Sequence, residues 1–292
     1  MTVFNFGSIN IDHIYKVPHF VRPGETLTSE SLTTVLGGKG ANQSVALARA
    51  GVKVQHIGRL NSADEWAFNV LIQSKVNTDF VERCDQASGH AIIQVQTDGE
   101  NSIVLHGGVN QSFSVDSIDA ALESAKAGDY LLMQNEVNLI DHAFKAGLEK
   151  GMKVILNPAP MDQAINELPL DQLEILIVNL IEAQMLSGLE SLEDVINELA
   201  SRLPQVTIVI TLGADGAVLA SHGQRLTQCA NTVDVVDTTA AGDTFVAYFL
   251  AAIMQGLDHQ AALQQACAAG ALAVSKTGAI PSIPSLLEVA GQ

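Results

Sequence analysis

The chain has 292 residues, 47% hydrophobic and 16% charged, with a formal net charge of −17. That length can bury a sizeable core as one large domain or two, and the acidity argues against general binding to nucleic acid or to an anionic membrane. The longest apolar runs break off well short of the ~20 residues a helical membrane span needs, and Cys84, Cys229 and Cys267, odd in number and without metal-ligand spacing, are expected as reduced thiols of a cytoplasmic protein.

The N-terminal residues lack a basic region and a cleavage signature, so Val3–Phe6 is read as a first strand rather than part of a signal peptide. Gly7-Ser8-Ile9-Asn10-Ile11-Asp12 follows. If extended, it points Asn10 and Asp12 to the same side, which suits a hydroxyl-bearing ligand; a plain turn would use the same residues. Residues 11–36 hold Pro18, Pro23 and Gly24 and short extended pieces at Thr26–Thr28 and Ser31–Val35.

Leu36-Gly37-Gly38-Lys39-Gly40-Ala41-Asn42-Gln43 comes next. It is neither a Walker A loop, which needs Ser or Thr after the Lys, nor the G-x-G-x-x-G dinucleotide pattern. Its glycines let the backbone approach closely, and Asn42 stands at the start of a helix expected over 41–50. A polyhydroxy ligand fits such a loop, and so does an ordinary glycine-rich turn.

Further strands are expected at Val54–Ile57, Ala91–Gln96, Ser102–Leu105, Tyr130–Gln134, Lys153–Leu156, Ile175–Val178, Thr207–Thr211 and Ala217–Ser221. Helices are expected at 63–74, 115–125, 139–150, 182–186, 192–201, 244–255 and 261–275. This alternation predicts an α/β fold, a mainly parallel sheet with helices on both faces. Residues 89–105 read as a hairpin turning at Thr97-Asp98-Gly99-Glu100. With the pieces of 11–36 it can form a small β-sheet lid over the ligand-binding edge of the main sheet.

Thr232, Val233, Val235 and Val236 read as a strand, followed by Asp237-Thr238-Thr239-Ala240-Ala241-Gly242-Asp243 and an apolar helical run. Small residues at a helix start leave N–H groups uncovered, and those attract anions. Asp243 in that turn is either a proton acceptor for phosphoryl transfer or simply an acid favoured near a helix N-terminus.

Gly37-Gly38-Lys39-Gly40-Ala41-Asn42 and Asp237-Thr238-Thr239-Ala240-Ala241-Gly242-Asp243-Thr244 resemble the two signatures of the ribokinase-like (PfkB) family of sugar kinases. The likeness continues through Gly7–His13, Pro23–Thr26, His106–Asn110, Asn157–Pro160, Ile210–Gly213 and Gly278–Ser282. The resemblance implies a single kinase domain over 1–292, its lid built from about 11–36 and 89–108. It implies ATP-dependent phosphorylation of a sugar hydroxyl, with ribose as the leading substrate. Another sugar or a nucleoside is the alternative, and a non-catalytic sugar-binding protein is a third reading.

In that reading Asp243 is the base, and the backbone amides of Ala241, Gly242 and Asp243 form the anion hole. Asn10, Asp12, Gly38, Lys39, Asn42 and Glu136 match the family's sugar-binding positions. Asn179, Glu182, Thr211, Gly213, Asp215, Gly216 and Gly242 match its nucleotide-binding positions, with Cys267 against the adenine. Asn179 and Glu182 form the N-x-x-E pattern associated with Mg²⁺; the chain departs from the usual Pro-Asn-Glu by having Val178-Asn179-Leu180. A monovalent cation, K⁺, is implied at Asp237, Thr239, Ala273, Lys276, Gly278 and Ser282, Lys276 acting through its carbonyl. Ile92 and Gln94 of the hairpin are expected to touch the sugar. The lid's free edge and apolar face predict a homodimer through the lids.

Overall fold

β-Branched apolar segments with few charges become the strands of one large sheet, and alanine- and leucine-rich segments cover it. The computed structural model describes residues 1–97 and 99–291. In chain order the elements are β1 (Val3–Phe6), β2 (Asn10–Lys16), β3 (Ser31–Gly37), α1 (Lys39–Arg49), β4 (Val54–Asn61), α2 (Glu65–Gln73), β5 (Asn77–Cys84), β6 (Gly89–Val95) and β7 (Asn101–His106). They continue with α3 (Val115–Leu122), β8 (Tyr130–Gln134), α4 (Ile140–Glu149), β9 (Lys153–Asn157), β10 (Ile175–Asn179), α5 (Leu180–Ser187), α6 (Leu192–Arg202) and β11 (Thr207–Thr211). The chain closes with β12 (Ala217–Ser221), β13 (Gln224–Gln228), α7 (Ala241–Met254), α8 (His259–Val274), α9 (Ala279–Ser282) and α10 (Leu286–Ala290).

The main sheet has 9 strands in the order β13-β12-β11-β10-β9-β8-β1-β4-β5. All neighbours run parallel except β11 with β12 and β12 with β13. Its two faces carry separate cores. α1, α7 and α8 pack on one side through residues such as Val45, Phe249 and Leu263. α3 to α6 pack on the other through Ile118, Phe144, Ala183 and Val195. β1 shows how alternation feeds both: Val3 enters the first core, while Phe4 and Phe6 enter the second. No helix among the described residues is long and apolar enough to cross a membrane.

The sheet's topology selects one crevice. β1 lies between β4 and β8, and the chain progresses outward from it in both directions. Ligands of open α/β sheets bind where the strand order reverses, at the C-terminal strand ends. There, after β1, stand Ser8 and Asn10; after β8 stands Glu136.

A separate four-stranded sheet, ordered β3-β2-β6-β7, stands apart from the main one. β2 pairs antiparallel with β3 and parallel with β6, and β6 with β7 forms the expected hairpin. Of the expected turn, Asp98 lies outside the described residues; Gln96 N–H donates to the Glu100 carbonyl at 2.9 Å across it.

Three readings need correcting. Thr232–Val236 is not a strand: no element covers it. Val235 and Val236 are exposed, and the Val236 and Asp237 N–H groups both donate to Val274 O at the end of α8. β-Branched residues favour a strand only where a ladder is open to them, and β13 already closes that edge. Second, β5 and β13 form strands that patterning did not reveal; both are edge strands with polar faces. Third, Ile92 and Gln94 pair with His13 and Tyr15, one residue out of step with Asp12, which pairs with Ala91. They therefore face away from Asp12, and Ile92 instead lines a cavity of about 500 Å³ with His13, His90 and Trp66.

Candidate active site

Two helix starts and three strand ends converge in the crevice. α1 begins at Lys39 after Gly38, whose φ of 89° is the left-handed region that glycine tolerates. A Cβ at Gly38 would also lie 2.8 Å from Asn10 N and 3.0 Å from Ser8 O. The glycine thus lets the loop pass directly over the end of β1.

α7 begins at Ala241 after Ala240, with φ 60°, and no side chain caps its N-terminus. Gly242 faces open space, since a Cβ there would meet nothing within 4 Å. A helix start without a side-chain cap and facing open space offers its N–H groups to an anion. Ala241, Gly242 and Asp243, the residues expected at the anion site, form the first turn of α7.

Asp243 is buried beside that helix start. Asn42 Nδ2 donates to its Oδ2 at 2.9 Å, and Gln43 Nε2 donates to its Oδ1 at 2.9 Å. The two signature segments, 200 residues apart, therefore meet side chain to side chain. Asn42 Oδ1 is buried and has no partner among the described residues. A buried acceptor left open in a crevice suits a hydroxyl donor from a ligand.

Around Asp243 sit Lys39, Glu136 and Glu182. Burial pushes the Lys39 ammonium down, but Asp243, Glu136 and Glu182 together outweigh it and hold the group above its ordinary value. Burial raises both Glu136 and Glu182, offset in part by Lys39. Glu136 Oε2 accepts from Ser8 Oγ and from Lys39 N at 3.1 Å, which fixes the end of β8 against β1 and α1. Asn10 Oδ1 accepts from Asn110 Nδ2 at 2.8 Å, leaving its amide nitrogen as the group it can offer. Asp12 packs under Gly37, where a Cβ would lie 2.0 Å from its Oδ2.

Burial, then the neighbouring Glu136, lift Asp12 from 3.8 to about 6. The folded value exceeds the unfolded one, so the folded state binds more protons between the two. Stability therefore falls as pH rises through roughly 4 to 6 and stays lower above it. Asp12→Asn removes that cost. We expect its thermal midpoint at pH 7.5 to rise by roughly 2–4 °C in the ligand-free protein, with no gain at pH 4; calorimetry at both pH values checks this.

The expected nucleotide positions line the adjoining strand ends. Asn179 caps α5: its side chain accepts from Glu182 N at 2.8 Å, and Glu182 Oε2 accepts from Asn179 N at 2.9 Å. Leu180, the departure from the usual pattern, packs its side chain against the second core. Thr211 pairs with Asn179 across β11 and β10. Gly213–Asp215 form a short 3-10 turn, and Gly216 has φ 98°. Cys267 is buried on α8, and burial pushes its thiol up to about 11, so it is an unreactive packing group.

Asp237 ties the expected cation loop together. It accepts from Thr239 N (2.9 Å), Thr239 Oγ1 (2.6 Å) and Gly278 N (2.8 Å), and these bonds outweigh its burial and hold it below the usual carboxylate range. Lys276 Nζ pairs with Glu288 Oε1 at 2.7 Å, so its ammonium is engaged there rather than with Asp237. Ser282 is buried and donates to Ala279 O. The Ala273 carbonyl already accepts from Lys276 N at 3.2 Å.

Several residues of the crevice were given no role from the sequence: Ser8, Gln43, Asn110 and Asn157, although they lie in segments singled out there, and Gln134. Each is a buried polar group on or beside a core element. In the sequence they read as ordinary members of an alternation or a loop.

The pfkB family carbohydrate kinase model matches residues 2–286. A protein of Haemophilus influenzae named ribokinase is 37% identical over 299 residues, covering 98% of this chain and 96% of its own. A crystal structure of ribokinase from Cryptococcus neoformans in complex with ADP superposes with a TM-score of 0.86 at 35% identity, covering 99% of both chains. A structure of Arabidopsis thaliana ribokinase complexed with ribose and ATP gives a TM-score of 0.87 at 30% identity, covering 99% of this chain and 97% of that one.

Proposed function

The chain belongs to the pfkB family of carbohydrate kinases, and on that footing we propose that it is an ATP-dependent ribokinase, converting D-ribose and ATP to D-ribose 5-phosphate and ADP. One observation carries the reading: a buried carboxylate, Asp243, is fixed by Asn42 and Gln43 beside an uncapped helix start.

Asn10, Asp12, Lys39, Asn42 and Glu136 bind the sugar hydroxyls, with Gly38 letting the backbone close on them. The primary hydroxyl lies against Asp243, which accepts its proton as the oxygen attacks the terminal phosphorus of ATP; the bond from that phosphorus to the ADP oxygen breaks. N–H groups of Ala241, Gly242 and Asp243 hold the transferred phosphoryl oxygens. Thr211, Gly213, Asp215 and Gly216 border the nucleotide, and Cys267 lies at the adenine. The small sheet, residues 11–36 and 89–108, acts as a lid that excludes water, over a single domain spanning the whole chain. Ala91 and Ile93, in step with Asp12, are the lid residues facing the sugar.

Asn179 and Glu182 supply oxygen donors only, which suits Mg²⁺ holding most of its waters. Mg²⁺ would offset the phosphate charge there. Carbonyl and carboxylate oxygens at Asp237, Thr239, Ala273, Lys276, Gly278 and Ser282 suit K⁺, whose chemistry is to set the loop from which the anion-hole amides project. Replacing K⁺ by choline at constant ionic strength is expected to lower kcat roughly tenfold, less than the ~10²–10³ that loss of a whole anion-hole donor costs.

The protein works in the cytoplasm as a homodimer joined through the lids. β7 is exposed along its length, and Leu32, Ile103, Val104 and Leu105 present apolar side chains on that sheet. Light scattering at micromolar concentration should give twice 30.8 kDa; a mass of one chain would refute the dimer.

The activity itself is tested by coupled ADP release across pentoses, hexoses and nucleosides. Ribose should give the highest kcat/KM, and its KM should rise as pH falls below about 6, where Asp12 takes up a proton. Ribose binding without turnover in Mg²⁺ and K⁺ would establish a sugar-binding protein instead.

A further inference from the structure

Gln43 is fully buried, one position after Asn42, with its amide between Asp243 and the core of the main sheet. Its Nε2 donates to Asp243 Oδ1 at 2.9 Å and to Asn157 Oδ1 at 3.0 Å. Its Oε1 accepts from Gln134 Nε2 at 2.7 Å. Gln134 Nε2 also donates to Asn5 Oδ1 at 2.9 Å.

The polarity of this chain of amides is dictated from its far ends. Asn157 Nδ2 is committed to the backbone carbonyl of Ile177 in β10 at 3.0 Å, which turns Asn157 Oδ1 toward Gln43. Asn5 Nδ2 donates to Gly40 O and Ser44 Oγ, both at 2.8 Å, which turns Asn5 Oδ1 toward Gln134. Gln134 must then present its nitrogen to two acceptors, and Gln43 must do the same. Turning either amide over would set oxygen against oxygen. Gln134 Oε1 is left buried without a partner among the described residues. Leaving an acceptor unpaired in a core is costly, so the arrangement gives priority to supplying N–H groups in the direction of Asp243.

We propose that Gln43 is a positioning residue for phosphoryl transfer. Asn42 holds one oxygen of Asp243 and Gln43 the other, so rotation of the carboxylate breaks both bonds. Gln134, Asn5 and Asn157 anchor Gln43 to β8, β1 and β9, the rigid strand ends of the crevice. The carboxylate plane is thereby fixed, and its remaining lone pairs point where the sugar hydroxyl arrives. This rests on the reading of Asp243 as the proton acceptor.

Gln43→Met and Gln134→Met test it in the full-length protein. Gln43→Met keeps the volume but removes the donor; Gln134→Met keeps that donor and removes its anchor. Hydrogen bonds to charged groups govern rate effects of about 10- to 100-fold. Gln43→Met should lower kcat by that much with the KM values for ribose and ATP within about threefold, and Gln134→Met should lower kcat less, by about 3- to 10-fold, with KM equally unmoved. A folded Gln43→Met protein with unchanged kcat, or a loss confined to KM, overturns the proposal. If Gln43→Met does not fold, Gln134→Met decides by the same split. Absence of turnover in the wild type refutes the kinase reading alone; a crystal structure of either folded variant then answers the positioning question, since a carboxylate rotated off Asn42 Nδ2 supports it and an unmoved one overturns it.

Discussion

Asp243→Asn is expected to lower kcat by about 10²–10⁴-fold, the usual worth of a positioned general base, while ribose still binds. The carboxylate is held at both ends. Both of its oxygens accept N–H groups, from Asn42 and Gln43. An asparagine there keeps the shape but offers no basic lone pair for the attacking hydroxyl. It also sets its own NH₂ against one of those two donors, whichever way its amide turns. That mismatch should cost about 1–3 kcal/mol of stability, as for other buried donors left unpaired, and the variant should melt below the wild type. Single-turnover ADP release, with ribose affinity by calorimetry, separates the two effects. Turnover within tenfold of the wild type would remove Asp243 from the role of base. Loss of ribose binding together with turnover would assign it to the sugar site alone.

The same residue shows why part of the site could be read from the sequence. Asp243 follows three small residues at a helix start, and Asn42 follows a glycine-rich loop. Both are local patterns with a physical cause: a backbone exposed to an anion and a backbone close to a ligand. Gln43 closes the same loop but nothing in its spacing gives it a role, and Gln134, Asn5 and Asn157 have no such pattern. Each takes its function from partners contributed by other strands, and sequence spacing carries no information about who those partners are. Asn5 is the plainest instance, a single polar residue in the fully buried strand Val3–Phe6. Its role appears only when Gly40 and Ser44 are placed above it.

For the fold, apolar parallel strands were legible because they are buried on both faces. Edge strands were not. β5, Asn77–Cys84, mixes acids and a base with Phe80 and Val81, since much of one face meets solvent. Conversely, Thr232–Val236 has strand-like residues but no ladder to join. The small sheet was legible in its hairpin and in Ser31–Val35, but Thr26–Thr28 joins no strand, β2 was not foreseen as one, and the facing was not legible. A one-residue shift in register decides whether Ile92 or Ala91 shares the face of Asp12, and the pairing of β2 with β6 selects Ala91.

Gly40→Ala should be severely damaging although it alters no polar group of the site. A Cβ at Gly40 would lie 2.5 Å from Gly7 C, 2.5 Å from Ser8 N and 2.6 Å from Gly7 Cα. All three are backbone atoms, so no side chain can turn aside. Gly7 is the counterpart: its own Cβ would fall 2.7 Å from Gly40 Cα. α1 and the end of β1 thus pack backbone against backbone, with Ala41 N donating to Ser8 O at 2.9 Å and Asn5 Nδ2 to Gly40 O at 2.8 Å. One methyl group must drive α1 away from β1, breaking these bonds and carrying Asn42 and Gln43 off Asp243. Overpacking of this kind costs about 1–3 kcal/mol, occasionally more, and contact with immobile backbone puts Gly40 at the upper end. The thermal midpoint should fall by roughly 6–12 °C, and in the folded fraction kcat/KM should fall by about 10²-fold, the effect of an ångström's misplacement of a catalytic group. Gly270→Ala on α8 is the control, since its Cβ meets only Ala241 O at 3.7 Å, an ordinary contact; it should melt at or slightly above the wild type, as alanine favours a helix interior by up to about 1 kcal/mol. If Gly40→Ala instead matched that control in melting and in rate, α1 could move without disturbing Asp243, and the close approach of helix and strand would not be what holds that carboxylate in place.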